Sequence, residues 1–248
     1  VLPARSLSIK LSAYIVPYDR VFARAAERYL TEFMVGVNKK LSLKIGAGFS
    51  NMHTSSFEKE SFSFYGKYRF FSQDDVHKHF RMAAFLNGSY SYAPFHYDEV
   101  ELMGDKTGIS MGIIATQLLN KFALSASVSH TQLLDSSRFN KVVYIPTRIY
   151  QAMNYSFSYG YLLFPREYKD FNQLNLNLYV EFLAQQTLTQ GKYYIDFAPA
   201  MQFIINSNLK LNASYRIELA GNMQRISQYK WLFGFEKSFL NVWKRKPN

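Results

Sequence analysis

Few of the chemistry-bearing residues in this chain stand at spacings that a reaction needs. Asp74-Asp75-Val76-His77-Lys78-His79 gathers carboxylates and imidazoles, which are reasonable metal ligands, but so polar a stretch between apolar rows reads better as a turn. His130 precedes Ser136 and Ser137, the residue types of a base and a hydroxyl nucleophile, yet no third group stands at a matching spacing. Gly46-Ala47-Gly48 lacks the following helix that a phosphate cradle requires. The reading is therefore not an enzyme, with no metal and no cofactor. The most distinctive stretch runs from Tyr92 to Asp105 and combines aromatics with His96, Asp98, Glu99, Glu101 and Asp105. Such a loop could fold inward as a constriction or bind a cation or a sugar. A solvated loop is the plainer account.

The elements that would position these groups follow a strict two-residue alternation in segments of about ten residues. Leu7, Ile9, Leu11, Ala13 and Ile15 alternate with Ser8, Lys10, Ser12 and Tyr14, and Phe122, Leu124, Ala126 and Val128 with Ala123, Ser125, Ser127 and Ser129. The same rule continues to Trp231, Phe233, Phe235 and Phe239. The Ala-rich stretch Phe22 to Arg28 breaks it and reads as a loop. Short connections at Asn38–Lys40, Leu118–Lys121 and Asn206–Asn208 alternate with longer ones at Pro17–Arg28, Asn51–Glu60, Ala93–Thr107 and Leu133–Arg148.

A soluble β-sandwich also alternates, but its polar face carries Lys, Glu and Thr. Here that face is crowded with Ser, Gly, Asn and Ala, which suit the concave inside of a closed sheet. The opposite face carries more Tyr, Phe, Leu and Ile than one core of a 248-residue chain could cover. No stretch approaches the roughly 18–20 apolar residues of a membrane helix. The expected fold is all-β: a transmembrane up-and-down antiparallel β-barrel of about 12 strands, built from residues 1–240. Short turns and both termini then face the periplasm, and 241–248 form a basic periplasmic tail.

The absence of cysteine removes disulfides and thiolate metal sites. The net charge of +11 is dispersed along the chain, which argues against nucleic acid. Arg20, Arg24 and Arg28 could meet lipopolysaccharide phosphates. Lys39, Lys40, Lys121 and Lys244-Arg245-Lys246 could meet anionic lipid or a periplasmic partner. Inward parity gives a pore-lining set of Lys10, Glu32, Lys44, Lys67, Arg69, Arg81, Glu181, Asp196, Lys210, Arg216 and Glu218, joined by Lys230 and Glu236. Strand direction places Lys10, Lys44, Lys67, Arg69, Arg81 and Lys210 toward the periplasmic mouth, and Glu32, Glu181, Asp196 and Glu218 in the upper half.

The strand from Trp231 to Phe239 resembles the aromatic closing strand of Gram-negative outer-membrane proteins, although the tail beyond Leu240 sets that Phe short of the end. Phe80-Arg81-Met82-Ala83-Ala84-Phe85 and Pro165-Arg166-Glu167-Tyr168 resemble functionally unassigned barrels of Bacteroidota. The overall plan is similar to the barrel family associated with the meta-pathway of phenol degradation. These resemblances imply the cell outer membrane, with outer-membrane lipids and lipopolysaccharide as surroundings. The expected function is a channel or transporter for a small polar or charged solute. The alternative is a non-conducting accessory or structural subunit with outer-membrane protein partners.

Overall fold

The computed structural model describes residues 2–19, 24–54, 56–76, 78–93, 97–134, 149–164 and 173–243. The alternation produces twelve strands: β1 (Ser6–Asp19), β2 (Arg24–Gly36), β3 (Leu41–Ser50), β4 (Glu58–Asp74), β5 (Lys78–Ser91), β6 (Gly108–Leu119), β7 (Phe122–Leu133), β8 (Gln151–Phe164), β9 (Asn175–Thr187), β10 (Tyr193–Ile205), β11 (Leu209–Gly221) and β12 (Tyr229–Phe239). Each pairs antiparallel with its sequence neighbours, and β1 pairs with β12 from Leu7↔Phe239 to Ile15↔Trp231, which closes the barrel. Closure gives strand backbone groups partners and leaves no sheet edge.

The outer face is apolar and unshielded by protein. Ile45 is 58% exposed, Met111 57% and Leu11 48%, with Phe33, Phe64, Phe157, Phe182 and Trp231 alongside. Water would not tolerate rows of this extent, and a lipid bilayer accommodates them. Among the described residues no helix is long and apolar enough to cross a membrane; the strands do so instead.

The two ends differ. One is where β2 meets β3, β4 meets β5, β6 meets β7, β8 ends and β9 starts, and β10 meets β11, and β1 starts and β12 ends there. Its turns follow local chemistry. Asn206 (φ 50°) and Ser207 (φ 55°) both adopt the left-handed conformation as the central pair of a tight turn, closed by the Asn208 N–H on the Ile205 carbonyl at 3.2 Å. Asn38 Oδ1 accepts from the backbone N–H of Lys40 (2.8 Å) and Leu41 (2.9 Å), closing its turn with a side chain. At the other end β1, β3, β5, β7, β9 and β11 finish and β2, β4, β6, β8, β10 and β12 begin.

One expectation is corrected here. Arg24 to Arg28 lie in β2 rather than in a loop, with Val16↔Ala26 and Tyr14↔Arg28 in register. At this end the inward positions Tyr14, Val16, Ala26 and Leu30 form an apolar cluster with Met52, Tyr97 and Ile226, so the polar-inside rule lapses. Further down the lumen, hydroxyls and amides link neighbouring strands: Ser127 to Ser156 at 2.6 Å, Asn177 to Gln202 at 3.1 Å, and Gln202 to Asn212 at 2.7 Å.

Candidate functional site

The connection between β5 and β6 turns into the barrel mouth. Asp98, Glu99, Asp105 and Lys106 are all buried, which an outward-solvated loop would not allow. Charge pairing explains how they tolerate it.

On one side, Arg28 grips Glu60 through two bonds, Nε to Oε2 at 2.6 Å and Nη2 to Oε1 at 2.8 Å, and also pairs with Asp105. His53, from the β3–β4 connection, reaches Asp105 at 3.2 Å and Glu60 at 3.4 Å. The loop backbone passes closely over this cluster at Gly104 (φ 147°), where a Cβ would lie 2.5 Å from Glu60 Oε2 and 2.6 Å from Arg28 Nε. Only glycine fits there. His53, Glu60 and Asp105 converge closely enough to suggest a metal site. The Arg28 guanidinium already supplies the positive charge between the two carboxylates, so the group acts as an ion cluster.

On the other side, Arg225 from the β11–β12 connection binds Asp196 at 2.7 Å and 2.8 Å, Glu218 at 2.9 Å and Glu99 at 3.0 Å. Arg216 pairs with Asp196 and lies 3.5 Å from Glu99. Lys230 reaches Glu101 at 3.4 Å, and Lys192 pairs with Asp98. Between the two anchors, Gln185 clamps Val100, accepting from its N–H at 2.8 Å and donating to its carbonyl at 2.9 Å. Val100 and Leu102 pack with Leu133, Ile149 and Ala152. The loop is thus fastened on both sides of the mouth.

Among the inward charges, Lys44, Glu32, Lys10, Glu236 and Lys210 alternate in sign across β3, β2, β1, β12 and β11. Glu32 pairs with Lys44 and, at 3.4 Å, with Lys10; Glu236 takes Lys210 at 3.3 Å. Glu32 therefore lies level with its cross-strand partner Lys10 and not in a separate acidic upper half. Arg81 donates to Asp74 at 2.9 Å, which dilutes the basic zone further. Arg69 donates to the carbonyl of Lys39 at 2.6 Å. Lys67 and Arg69 line a cavity of about 160 Å³ near the short-turn end.

Arg28 is withdrawn from any role at lipid headgroups, since it is buried in the first anchor. Arg24 donates to the carbonyls of Asn51 and Thr54 and so braces the β3–β4 connection. Arg20, His77, His96, Ser136, Ser137, Pro165 to Tyr168 and Lys244 to Lys246 lie outside the described residues.

Sequence reading missed Arg28, His53, Glu60 and Arg225 as site residues. Arg28 shares the parity of Leu30 and Glu32 and could have been found. Glu60 could not, because a register shift pairs Gly48 with Ser61 but Phe49 with Lys59. That bulge turns a carboxylate inward that simple alternation assigns to the outside.

Similar solved structures include an outer membrane channel from Pseudomonas putida F1, at TM-score 0.64 and 9% identity, covering 96% of this chain and 97% of that one. A protein described as KdgM porin gives TM-score 0.53 and 10% identity over 94% of this chain and 99% of that one. The β domain of the Bordetella autotransporter BrkA gives TM-score 0.53 and 10% identity over 94% and 98%. The fold is that of outer-membrane β-barrels. No protein-family model and no curated protein matches the chain.

Within this outer-membrane barrel the loop anchors carry a pH dependence. Burial opposes the His53 imidazolium, but hydrogen bonds with Asp105 and Glu60 outweigh it and raise the pKa above the ordinary 6.5. Against the same cost of burial, Arg28 and then His53 hold Asp105 far below its ordinary 3.8. Arg225 and Lys230 likewise hold Glu99 well below 4.5. A raised histidine pKa contributes stability in full below 6.5 and loses it as pH climbs through the raised value. The depressed carboxylates contribute above their ordinary values and lose it as pH falls through the depressed ones. The loop is therefore held tightest in mildly acidic solution. A spin label on Met103→Cys should gain mobility as pH rises past neutral, and His53→Gln should abolish that gain. A label equally mobile at all pH values, or a gain that survives His53→Gln, would remove His53 from the anchor.

Proposed function

We propose that the barrel is an outer-membrane channel for small polar or charged solutes, with the β5–β6 loop as its constriction and the inward charges from Lys10 to Glu218 lining the path. The observation that carries this reading is the space left in the lumen. A cavity of about 430 Å³ lies beneath the loop, and Asn154 and Tyr194 line both it and an adjoining cavity of about 200 Å³ that reaches the loop residues Val100 to Leu102. A twelve-stranded barrel also falls between small barrels filled by side chains and wide porins. The likeness to proteins described as a porin and as an outer membrane channel supports the same reading.

We place the short turns and both strand termini in the periplasm, as such barrels generally do. A cysteine at Lys40 should then escape an impermeant maleimide on intact cells, while one at Gln190 reacts.

The two-sided fastening of the loop favours a second reading, a closed barrel acting as an accessory subunit of an outer-membrane complex. Planar-bilayer recording separates the two. Stepwise ion conductance from the purified barrel is the expected result, and silence at all applied voltages and pH values would favour the accessory role.

A further inference from the structure

The cavity under the loop holds a carboxylate that the fold leaves without a direct partner. Glu181, on β9, faces this space, and no hydrogen bond or ion pair engages its carboxylate among the described residues. Its cross-strand neighbours are Ser158 on β8 and Ala198 on β10, too short to cover it. The guanidinium in the cavity wall, Arg216, pairs with Asp196 and lies 3.5 Å from Glu99, and it reaches Glu181 only through the longer-range attraction of its charge. Every other acidic group that meets the loop has a basic partner: Asp98, Glu99, Glu101 and Asp105 take Lys192, Arg225, Lys230 and Arg28.

The rest of the wall divides into two chemistries. Ser127, Ser156 and Asn154 present hydroxyls and an amide from β7 and β8. Leu183, Leu232 and the ring of Tyr14 present apolar surface from β9, β12 and β1. Among the described residues, two charged ones line the cavity, Glu181 and Arg216, and the guanidinium of Arg216 is shared with Asp196 and Glu99 behind the wall. A partly desolvated carboxylate gains most from a cation that brings its own hydrogen-bond donors. The apolar wall adds a preference for a hydrocarbon or aromatic body attached to that cation.

The geometry points to this cavity as a binding site for a small organic cation, an ammonium on an apolar body, with Glu181 as the counter-charge. The inference names the solute class for the channel proposed above and rests on that reading only for the idea that the ligand passes through.

The test uses the complete barrel in detergent micelles and isothermal titration with three probes of one shape: 2-phenylethylammonium, the neutral 2-phenylethanol and the anionic 3-phenylpropanoate. The ammonium should bind about tenfold or more tightly than either of the others, and Glu181→Gln should remove that preference while leaving the weak binding of the alcohol. Thermal melting of Glu181→Gln establishes that the barrel is intact, and Glu181→Asp should restore part of the preference. Equal binding of the three probes, or an ammonium preference that persists in Glu181→Gln, overturns the site. Bilayer recordings on the same preparation keep the two ideas apart. Conductance without ammonium binding rejects the site and leaves the channel. Binding without conductance upholds the site and rejects the channel.

Discussion

Replacing Arg225 with methionine is expected to free the β5–β6 loop and raise the unitary conductance of the reconstituted barrel. Arg225 makes four hydrogen bonds to three carboxylates, Asp196, Glu218 and Glu99. Methionine fills a similar volume but leaves Asp196 and Glu99 with Arg216, and Glu218 with the amide of Gln228 at 3.4 Å. Removing one partner of a buried charge cluster costs about 3–5 kcal/mol. The loop can escape that cost by swinging out and returning Glu99 to water, so the loss falls on loop docking and the barrel's melting temperature should change little. Gly104→Val attacks the opposite anchor, where a side chain would collide with Glu60 and Arg28. It should give the same larger conductance. Combining the two changes should add little, since a loop already released cannot be released again. Unchanged conductance in both variants, with a spin label at position 103 as immobile as before, would show that the anchors do not hold a gate.

The second large effect concerns the lipid-facing belt. Phe182 lies mid-strand in β9, outward and 41% exposed, with its ring 5.3 Å from that of Phe197. Phe182→Arg should destabilise the barrel by about 2–4 kcal/mol, the cost of a guanidinium near the bilayer midplane. Ser127→Arg on the inner face removes one hydrogen bond to Ser156 but points into the central cavity. Its cost should be about 0.5–1.5 kcal/mol. Urea-driven unfolding in lipid vesicles measures both. Equal losses would overturn the assignment of Phe182 to the lipid face and Ser127 to the lumen.

The contrast between these positions shows which parts of the structure a reader of the chain can reach. Phe182 and Ser127 were assignable because a strand puts successive side chains on opposite faces and each face meets a different solvent. That logic holds only where lipid lies outside and water inside. At the long-loop end of β1 and β2 the outside is aqueous, while the inside is filled by Tyr97, Met52 and Ile226. The inward residues there are Val16 and Ala26, the pattern inverts, and Phe22 to Arg28 looked like a loop. The face of inward charges such as Asp196, Arg216 and Glu218 was readable by parity. Its pairing was not, because partners such as Arg225 and His53 come from connections whose path no periodicity encodes. Glu32 shows a subtler limit. Its face was readable, but its height depends on the register with Lys10, which only the folded sheet sets.

Eleven of the twelve strand pairs are joined by a connection in the chain, and the pair β1–β12 is not. That pair is a seam. A hairpin fixes its own register through its turn, but β1 must find β12 across the whole length of the chain. A slip of one residue there would turn Phe233, Phe235 and Phe239 of β12 into the lumen and Lys230 and Glu236 toward the lipid. Specific side chains guard against it. Ser8 donates to Glu236 at 2.9 Å, Ser238 donates to Ser8 at 3.3 Å, and the Val242 N–H bonds to the Arg5 carbonyl at 2.9 Å. The register of this joint rests on strand pairing and these few bonds alone, with no turn to set it.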